Sequence, residues 1–422
     1  MNADALLAAA QVRDAADPLA TLRERFVLPR TASGAEAIYL CGHSLGLAPR
    51  AARGRVEQEL SDWETLGVHG HHDAHRPWIT YAEQLKLPLA RLVGAEPAEV
   101  VAMNGLTVNL HLLMASFYRP HGARRCIVIE AGAFSSDRHA VETQLALHGI
   151  GPDALIEAAP RPGEDLIDET DVAALIASRA PEIALVLWPG VQYRTGQRFD
   201  LARIARAAHA AGALCGFDLA HAVGNVPVAL HADDADFAAW CGYKYLNGGP
   251  GALAGAFVHR RHFDAPRLGG WWGHRGHTRF RMEPGFEPSP GADGWQLSNP
   301  PILSTAPLLA SLELFAETPW EQLRAKSLAL GDFLIDALAD ASGSQLELIT
   351  PRDPDRRGCQ LSLRVRDGRD AGRRVFDALG HAGVVADWRE PDIIRVAPVP
   401  SYNRFDDVAR FVVALRAAVD TA

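Results

Sequence analysis

Lysine is the residue that this sequence most nearly lacks. Of its 42 basic residues, only Lys86, Lys244 and Lys326 are lysine, and all the others are arginine. A guanidinium stays protonated and cannot form an imine, whereas a desolvated lysine amine can. A lysine that the chain keeps in an apolar setting therefore indicates chemistry and not merely positive charge.

Cysteine is also scarce, and long hydrophobic runs are missing. The 5 cysteines are odd in number and have no CxxC spacing, which favours reduced core residues of a cytoplasmic protein over disulfides or a zinc site. No segment is apolar and long enough for a membrane span, and the N-terminus has no basic stretch typical of a signal peptide. The formal net charge of −9 argues against nucleic-acid binding. We expect a soluble cytoplasmic protein.

The surroundings of the three lysines differ. Lys86 and Lys326 lie in amphipathic helical patterns among charged residues, so we expect both on solvated faces. Lys244 follows an apolar run that is typical of a buried strand, and glycines at 248, 249 and 251 let backbone approach it closely. Because a buried cation without a function is costly, Lys244 is the predicted chemical lysine.

A lysine that forms an imine commonly holds pyridoxal phosphate, whose ring nitrogen needs a carboxylate. The segment ALCGFDLA (213–220) predicts a strand that ends at Asp218, with His221 after it. Acids at the carboxyl ends of strands lie where α/β sheets bind ligands. Taken alone, Asp218 could also be the N-cap of a following helix, but its pairing with Lys244 favours the cofactor.

Apolar strands alternate with helical segments from about residue 80 to 260. This pattern predicts an α/β fold with a mostly parallel sheet covered on both faces. Helices around 303 to 340 and strand patterns at 359–365 and 393–399 predict a smaller α+β domain. We place the boundaries at 1–35 for an N-terminal helical arm that packs with the small domain, 36–300 for the large cofactor-binding domain and 301–422 for the small domain.

Several other local segments contain candidate ligand-binding residues. Gly105 and Thr107 begin an apolar helix that could bind a phosphate. Phe134 could stack on a ring, and Asp137 could bind a ligand or cap a helix. Arg395 at a strand end could hold a carboxylate or form a surface ion pair. The His-rich loop 67–78 has no metal-site spacing, so it faces substrate or is inert, and we predict no metal site.

The ordered motifs of the chain resemble those of the kynureninase family over about residues 38 to 403. The motifs are YLCGHSLGL, HGHHDAHRPW, MNGLTVNLHLLMASFYRP, AFSSDRHAVETQL, GVQYRTGQ, GFDLAHAVGN, WCGYKYLNGGPGALAGAF, GWWGH, LSNPPIL and RVAPVPSYN. The resemblance implies the type I fold of pyridoxal phosphate-dependent enzymes and the class V aminotransferase superfamily. It also implies a homodimer whose subunits share their active sites.

Position by position, the resemblance implies roles for thirteen residues. Lys244 would bind the cofactor covalently, and Tyr243 would be the proton donor. The residues implied around the cofactor are Leu106, Thr107, Phe134, Asp137, Asp218, His221 and Tyr243, with Trp271 and Asn299 reaching in from the partner subunit. The residues implied at the substrate are Ser44, His71, Asn299 and Arg395, the last at the α-carboxylate.

Four positions depart from the family pattern. His43 replaces the usual Asn of GNSLG, and Ser135 replaces the Pro of FPSD. Pro189 stands where some relatives have Ser, and Arg194 stands where an aromatic residue often precedes TGQ. None of the four is Lys244 or Asp218, so the departures bear on substrate fit more than on use of the cofactor.

The reaction implied by the resemblance is hydrolysis of L-kynurenine or its 3-hydroxy form to an anthranilate and L-alanine, in tryptophan degradation or NAD precursor synthesis. A cysteine desulfurase or another class V aminotransferase shares the lysine and the aspartate, but a desulfurase needs an exposed nucleophilic cysteine. Cys359, the best-placed candidate, opens an apolar strand. A third alternative is a non-catalytic pyridoxal phosphate-binding sensor.

Borohydride reduction tests the central role of Lys244. Because an imine is reducible and arginine cannot form one, reduction should fix the cofactor on Lys244. Lys244→Arg should keep the charge and lose the covalent link. Peptide mapping locates the modified lysine, and a label on Lys86 or Lys326 would contradict the prediction.

Overall fold

The computed structural model describes residues 2–339 and 345–422. Position 340, the last of the helical region predicted around 303 to 340, lies outside this range. The described residues contain fifteen strands, which are β1 Phe26–Val27, β2 Ile38–Tyr39, β3 Ala48–Pro49, β4 Val100–Ala102, β5 Cys126–Glu130, β6 Leu155–Ala158, β7 Ile183–Pro189, β8 Leu214–Asp218, β9 Phe237–Trp240, β10 Gly255–Val258, β11 Leu346–Leu348, β12 Leu361–Val365, β13 Val384–Val385, β14 Asp387–Arg389 and β15 Ile393–Val396.

Twelve α-helices lie between these strands in the same described ranges. They are α1 Ala3–Ala15, α2 Arg50–Leu66, α3 Gly70–Asp73, α4 Lys86–Leu92, α5 Leu106–Phe117, α6 Ser135–Leu147, α7 Glu169–Ser178, α8 Leu201–Ala210, α9 Ile302–Glu317, α10 Trp320–Ala339, α11 Arg369–His381 and α12 Phe405–Thr421. None of the described helices is both long enough and apolar enough to cross a membrane.

A seven-stranded sheet in the order β4-β10-β9-β8-β7-β5-β6 organises the larger part of the chain. Its five strands from β9 to β6 run parallel, and β10 is antiparallel to both of its neighbours. The five residues of β5 are all buried, as expected of strands covered on both faces. The predicted α/β fold with a mostly parallel sheet is therefore confirmed.

A second, four-stranded antiparallel sheet has the order β11-β12-β15-β14. Its core includes residues of α10, α11 and α12 and also Leu6 and Ala10 of α1. Ile38 and Leu40 belong to this core as well, and β2 pairs with β13. Helix α9, which follows residue 300, packs in the core of the first sheet through Leu308 and Leu312. The domain boundaries remain a proposal.

Sequence patterns located most of the strands but not all of them. Strands β8, β12 and β15 lie inside the segments predicted for them, 213–220, 359–365 and 393–399. The edge strand β6 was missed because its four residues alternate in burial and are too short to stand out. The segment 67–78, predicted as a loop, begins with a 3₁₀ turn (Gly67–His69) and the one-turn helix α3.

The expectation of a solvated Lys326 is wrong. Lys326 lies in α10 with its Nζ 2.7 Å from Asp17, and the two side chains are 5% and 3% exposed. Lys86 is half-buried and forms an ion pair with Asp293. Both lysines thus have carboxylate partners that are distant in sequence, which a local helical pattern does not reveal.

Asp236 fixes the start of β9, the strand that leads to Lys244. Its carboxylate is 1% exposed and accepts hydrogen bonds from the Cys215 backbone N–H at 2.6 Å, His209 at 2.9 Å and His262 at 2.6 Å, as well as from Arg261. Burial alone would raise the pKa of Asp236, but these four donors together outweigh burial and hold the pKa well below its usual range.

Replacement of Asp236 with asparagine should destabilise the protein. Loss of one partner of a buried charged network costs about 3–5 kcal/mol, so the apparent Tm should fall clearly at neutral pH. Because the pKa of the folded carboxyl is lowered, its stabilisation is present above the usual pKa of about 3.9 and is lost as the pH falls through the folded value. The difference in Tm between wild type and variant should therefore shrink as the pH is lowered below about 4.

The neighbouring Asp234 provides a matched control. It also pairs with Arg261, but its side chain is 56% exposed, so Asp234→Asn should cost no more than about 1 kcal/mol. Thermal melts of wild type and both variants across the pH range check this prediction. Equal shifts for the two variants would contradict the assigned role of Asp236.

Candidate active site

The carboxyl ends of β5, β7 and β8 and the segment after β9 surround a cavity of about 290 Å³. Ligands bind at this edge of open α/β sheets because loops and helix starts converge there. The cavity is lined by Gly105, Leu106, Thr107, Val108, Glu130, Phe134, Ser136, Asp137, Pro189, Val191, Tyr193, Asp218, Ala220, His221, Tyr243 and Lys244. Eight of the predicted site residues therefore lie together.

Lys244 is half-buried in this cavity, and its nearest polar partner is a histidine. Nζ lies 3.1 Å from Nε2 of His221 and 5.9 Å from the ring centroids of Phe134 and Tyr243. Within residues 2–339 and 345–422, no carboxylate forms an ion pair with Lys244. Burial, and then the charge of Lys244, lower the pKa of His221 well below its usual value. The imidazole is therefore neutral and does not compete for a negative charge.

A close backbone contact holds the lysine segment in place. The Gly46 N–H donates to the carbonyl of Tyr243 at 2.8 Å, and a Cβ at position 46 would lie 2.3 Å from the carbonyl oxygen of Lys244. Only glycine permits this approach. The predicted motif HSLG thus packs its turn directly against the lysine.

Three acidic side chains meet in the same cavity. Asp218 ends β8 and accepts a hydrogen bond from the Ala220 N–H at 2.6 Å. Asp137 lies in the first turn of α6, and Glu130 ends β5. Burial, followed by the charge of Asp218 and a hydrogen bond to it, raises the pKa of Asp137 well above its usual value. Burial and Asp218 raise the pKa of Glu130 to about 8.

The start of α5 presents backbone and hydroxyl donors to the cavity. Helix α5 follows Gly105, which provides no side-chain cap for the free N–H groups of the first turn. The hydroxyls of Thr107 and Ser136 lie 2.7 Å apart. Uncapped N–H groups at a helix start attract anions, so a phosphate group fits this part of the cavity.

Five predicted site residues do not line the cavity. Trp271 is 49% exposed, and Asn299 is exposed as well. His71 is exposed and packs edge-on against Trp78 at 5.5 Å. Ser44 is half-buried in the turn that contacts the lysine segment.

Arg395, the fifth of these residues, is 1% exposed. Its Nε is 2.7 Å from Asp387, and its NH1 donates to the carbonyl of Tyr193 at 2.6 Å. The surface ion pair considered for Arg395 is therefore wrong, because the pair that it forms is buried.

Among the residues of the cavity wall that sequence reasoning missed, Glu130 and Tyr193 matter most for the site. Glu130 ends a predicted strand just as Asp218 does, so the same signal was available for it. Tyr193, whose ring packs edge-on against Phe134 at 5.3 Å, lies in the loop that carries Arg194, and no local pattern distinguishes it.

The four departures from the family pattern have different environments. Pro189 ends β7 and lines the cavity, and Ser135 begins α6. Arg194 forms ion pairs with Asp165 and Asp392. His43 is fully buried, and neither of its ring nitrogens has a hydrogen-bond partner among the described residues.

Two groups of side chains bring three potential metal ligands close together. They are Cys41, His43 and Asp387, and Glu99, His231 and His259. Asp387 is paired with Arg395, and Glu99 with His231. The carboxylate of Asp387 is therefore already paired with a guanidinium, and that of Glu99 with an imidazole.

The cavity can bind an aldehyde-bearing aromatic cofactor through covalent, ionic and hydrogen-bonding contacts. An amine without a carboxylate partner can form an imine, and an acid at the other end can pair with a ring nitrogen. His221 Nδ1, Asp137 Oδ1 and Glu130 Oε2 are buried and have no hydrogen-bond partner among the described residues. A polar ligand would supply such partners.

Comparisons with known proteins agree with this chemistry. Residues 323–415 match the family model "Kynureninase C-terminal domain". The chain is 58% identical over 402 residues to a kynureninase of Xanthomonas campestris pv. campestris, which covers 94% of this chain and 95% of the relative. It is 57% identical over 406 residues to a kynureninase of Xanthomonas oryzae pv. oryzae, covering 96% of each.

Solved structures of similar fold are more distant in sequence. A C-DES mutant with glycine covalently linked to its PLP cofactor has a TM-score of 0.79 at 17% identity, covering 93% of this chain and 98% of its own. The cysteine desulfurase CsdA from Escherichia coli has a TM-score of 0.78 at 20% identity, covering 96% and 98%. The predicted type I fold is thereby confirmed.

Asp137→Asn should stabilise the unliganded protein at alkaline pH. Because the pKa of Asp137 is raised in the folded state, its favourable contribution is present below its usual pKa and is lost as the pH rises toward the folded value. An uncharged amide avoids this loss, so the apparent Tm of the variant should exceed that of wild type by roughly 2–4 °C at pH ~8 and match it only at pH ~3, below the usual pKa.

The exposed Asp153 serves as the control, since Asp153→Asn should leave the pH dependence of Tm unchanged. Thermal melts at both pH values decide the outcome. A lower Tm for Asp137→Asn at pH ~8 would mean that the folded protein requires the ionised carboxylate.

Proposed function

This chain belongs to the kynureninase family, and from that premise we propose that it hydrolyses L-kynurenine, 3-hydroxy-L-kynurenine or both. The products are anthranilate or 3-hydroxyanthranilate and L-alanine. The observation that carries the proposal is the meeting of Lys244, His221 and Asp218 in one cavity, with Nζ of the lysine 3.1 Å from the imidazole.

Pyridoxal phosphate is the cofactor, and the residues of the cavity fit it. Lys244 would hold it covalently, Asp218 would pair with its ring nitrogen, and Phe134 would pack on its ring. The start of α5 at Leu106 and Thr107 would bind the phosphate, helped by Tyr243. The unpartnered buried atoms of His221 and Asp137 support a polar group in this position.

The cofactor, when bound, withdraws electrons from the substrate carbon next to the amino group. Asp218 holds the carboxylate that such a positively charged ring requires. Lys244 faces the cavity without a carboxylate partner, so its free amine can take the proton from the substrate Cα. The neutral ring of His221 orients this amine without adding a charge.

The later steps need water and a proton donor. Water adds to the γ-carbonyl of the substrate, the Cβ–Cγ bond breaks to release the aryl acid, and a proton is delivered to Cβ to give alanine. Burial raises the pKa of the Tyr243 phenol, so the phenol keeps its proton until a strong base needs it. Tyr243 lies in the cavity next to Lys244, in a position to donate that proton.

The substrate groups would be bound by residues outside the cavity wall. Arg395 is proposed at the α-carboxylate, with Ser44 near the substrate. His71 and Asn299 are proposed at the aniline end, where a polar pair suits a 3-hydroxyl group. The burial of Arg395, which lowers the pKa of its guanidinium, strengthens an ionic contact with an incoming carboxylate.

A homodimer with shared active sites is part of the proposal. Trp271 and Asn299 are exposed and lie outside the cavity of their own chain. The loop that carries them also exposes Phe280 and Met282, at 58% and 85%. Exposed apolar residues grouped in one loop indicate a protein interface, and a second copy of the chain is the partner proposed for it.

The fold is shared with cysteine desulfurases, but the cysteines of this chain do not suit that reaction. Cys359 is 1% exposed, and burial raises the pKa of its thiol to about 12. Cys41, the least buried of the five, has its pKa raised to about 11 by burial. A desulfurase nucleophile must be accessible and readily ionised, so hydrolysis is favoured.

Incubation with kynurenine and with 3-hydroxykynurenine tests the proposal. Fluorescence should report anthranilate from the first, and chromatography should report 3-hydroxyanthranilate and alanine from the second. Asp218→Ala should keep bound cofactor and lose about 10²-fold or more in kcat, because the charge opposite the ring nitrogen is removed. The exposed Asp153→Ala is the control and should turn over normally.

If the holoenzyme releases neither anthranilate nor 3-hydroxyanthranilate, the proposed function is rejected. Near-normal turnover by Asp218→Ala would assign the ring nitrogen to another acid of the cavity. The ratio of kcat/KM for the two substrates identifies the preferred one.

A further inference from the structure

Tyr193 is a residue of the cavity wall to which the proposed reaction gives no role. It lies on the loop after β7, lines the cavity and is half-buried, so part of its surface faces the space that a ligand would fill. Tyr193 contacts both Arg395 and Phe134, which the proposed function places at the substrate carboxylate and at the cofactor ring. It therefore lies between two binding groups of the site.

Arg395 is joined to the cavity through Tyr193. The guanidinium donates from NH1 to the Tyr193 carbonyl at 2.6 Å, and its central carbon lies 5.9 Å from the centroid of the Tyr193 ring, within the range of a cation–π contact. Nε and NH2 contact Asp387 at 2.7 Å and 2.6 Å. NH1 and NH2 each keep one further N–H, so the arginine has donors left for a carboxylate.

The other side of Tyr193 faces the residues around the reactive amine. Its ring packs edge-on against Phe134 at 5.3 Å, and Nζ of Lys244 lies 5.9 Å from the centroid of the Phe134 ring. Burial, and then the charges of Lys244 and Arg395, lower the pKa of His221, so both cations act on the same imidazole. An α-amino acid carries its amine and its carboxylate on one carbon. A substrate that presents these groups to Lys244 and Arg395 must therefore pass along Tyr193.

Hydrogen bonds on both sides fix the Tyr193 backbone. Oε1 of Gln192 accepts from the N–H groups of Arg194 at 2.6 Å and Thr195 at 2.8 Å. Gln360 donates to the Tyr193 carbonyl at 2.8 Å, which gives this oxygen a second donor besides the guanidinium. Because these bonds do not involve the Tyr193 side chain, they remain available when that side chain is replaced, and the ring can be tested separately.

We propose that Tyr193 is a substrate-binding residue at the amino-acid head, the part of the substrate that carries the amine, Cα and the carboxylate. Its ring packs against this head and shields the contact between the carboxylate and Arg395 from water. Shielding strengthens the contact because it lowers the local dielectric constant. The inference rests on the proposed function, which places the substrate carboxylate at Arg395. Contact of Tyr193 with the aryl end of the substrate is the alternative.

Three substitutions vary the side chain and leave the carbonyl in place. Tyr193→Ala removes the ring, Tyr193→Leu keeps an apolar side chain without a ring, and Tyr193→Phe removes only the hydroxyl. If Tyr193→Ala does not fold, Tyr193→Leu replaces it in each comparison. The control is Phe315→Ala, because Phe315 is also a half-buried aromatic residue but lies in α9 and lines a different cavity.

Two probes represent the two ends of the substrate. L-alanine is the amino-acid head alone, and 2-aminoacetophenone is the aryl ketone without that head. Calorimetric titration of each probe into the holoenzyme gives its Kd and needs no turnover. Tyr193→Ala should weaken binding of L-alanine about tenfold, as expected for loss of a desolvated contact at a cation, and leave 2-aminoacetophenone unchanged. Tyr193→Phe and Phe315→Ala should bind both probes like wild type.

Three results would overturn the proposal. The first is weaker binding of 2-aminoacetophenone to Tyr193→Ala with L-alanine unchanged, which would place Tyr193 at the aryl end. The second is an equal change, or no change, for both probes. The third is a loss in Tyr193→Phe as large as that in Tyr193→Ala, which would assign the contact to the hydroxyl and not to the ring.

Salt gives a readout that a purely structural role would not change. In wild type the carboxylate of bound L-alanine is shielded with Arg395, so its Kd should rise little between about 0.05 M and 0.5 M NaCl. In Tyr193→Ala water reaches the pair, and the same increase in salt should raise Kd several-fold. Equal salt dependence in the two proteins would contradict the shielding role.

These measurements separate the inference from the proposed reaction. If the probes bind as expected but the holoenzyme releases no anthranilate from kynurenine, the role of Tyr193 stands and the reaction fails. If turnover occurs and the Tyr193 variants bind L-alanine like wild type, the reaction stands and the role of Tyr193 fails. A wild-type holoenzyme that does not bind L-alanine would overturn the inference as well.

Discussion

The contact between Nζ of Lys244 and Nε2 of His221 is the interaction on which the rest of the site depends. An amine next to a carboxylate is engaged in an ion pair, whereas an amine whose nearest polar partner is an imidazole is not engaged in one and can form an imine. Lys326 shows the other outcome in the same chain, since it is buried against Asp17 at 2.7 Å. Lys326 is buried in an ion pair, whereas Lys244 is half-buried and faces the cavity beside an imidazole, so the partner and the access to the cavity together decide which lysine is available for chemistry.

Two acidic side chains of the site lie at the ends of strands. Asp218 and Glu130 end two strands that are separated only by β7 in the sheet, and both side chains line the cavity together with Gly105, which precedes α5. A dipolar ligand with an anionic group at one end and a basic ring atom at the other matches this arrangement. The amine lies between the two ends, where a covalent bond would fix the orientation of such a ligand.

The sequence was sufficient to predict the sheet, the lysine and the acid at the end of β8, because each depends on a local pattern of burial and spacing. It was not sufficient to predict the buried ion pairs of Lys326 and Arg395. The partners of these two, Asp17 and Asp387, are chosen by tertiary packing, and an amphipathic pattern does not distinguish a solvated lysine from one paired in the core. Glu130 could have been found by applying the strand-end argument to every strand, since β5 and β8 carry the same signal.

Arg194 shows how a departure from the family pattern joins the cavity to the second sheet. Its guanidinium pairs with Asp392 at 3.0 Å and Asp165 at 3.4 Å, and Arg364 of β12 pairs with the same two acids. The adjacent carbonyl of Tyr193 accepts from Arg395 of β15 at 2.6 Å. The loop that forms part of the cavity wall is therefore linked to two strands of the small sheet, by ion pairs through shared acids and by a hydrogen bond to its main chain.

This connection bears on the proposed binding of the substrate carboxylate by Arg395. A carboxylate that draws Arg395 toward the cavity must act against its bonds to Asp387 and to the Tyr193 carbonyl, and the latter belongs to the wall that Phe134 contacts. Movement of the small sheet and movement of the cavity wall are thus coupled through one buried arginine. Because both bonds of Arg395 are shielded from solvent, salt should weaken this coupling far less than it weakens exposed ion pairs.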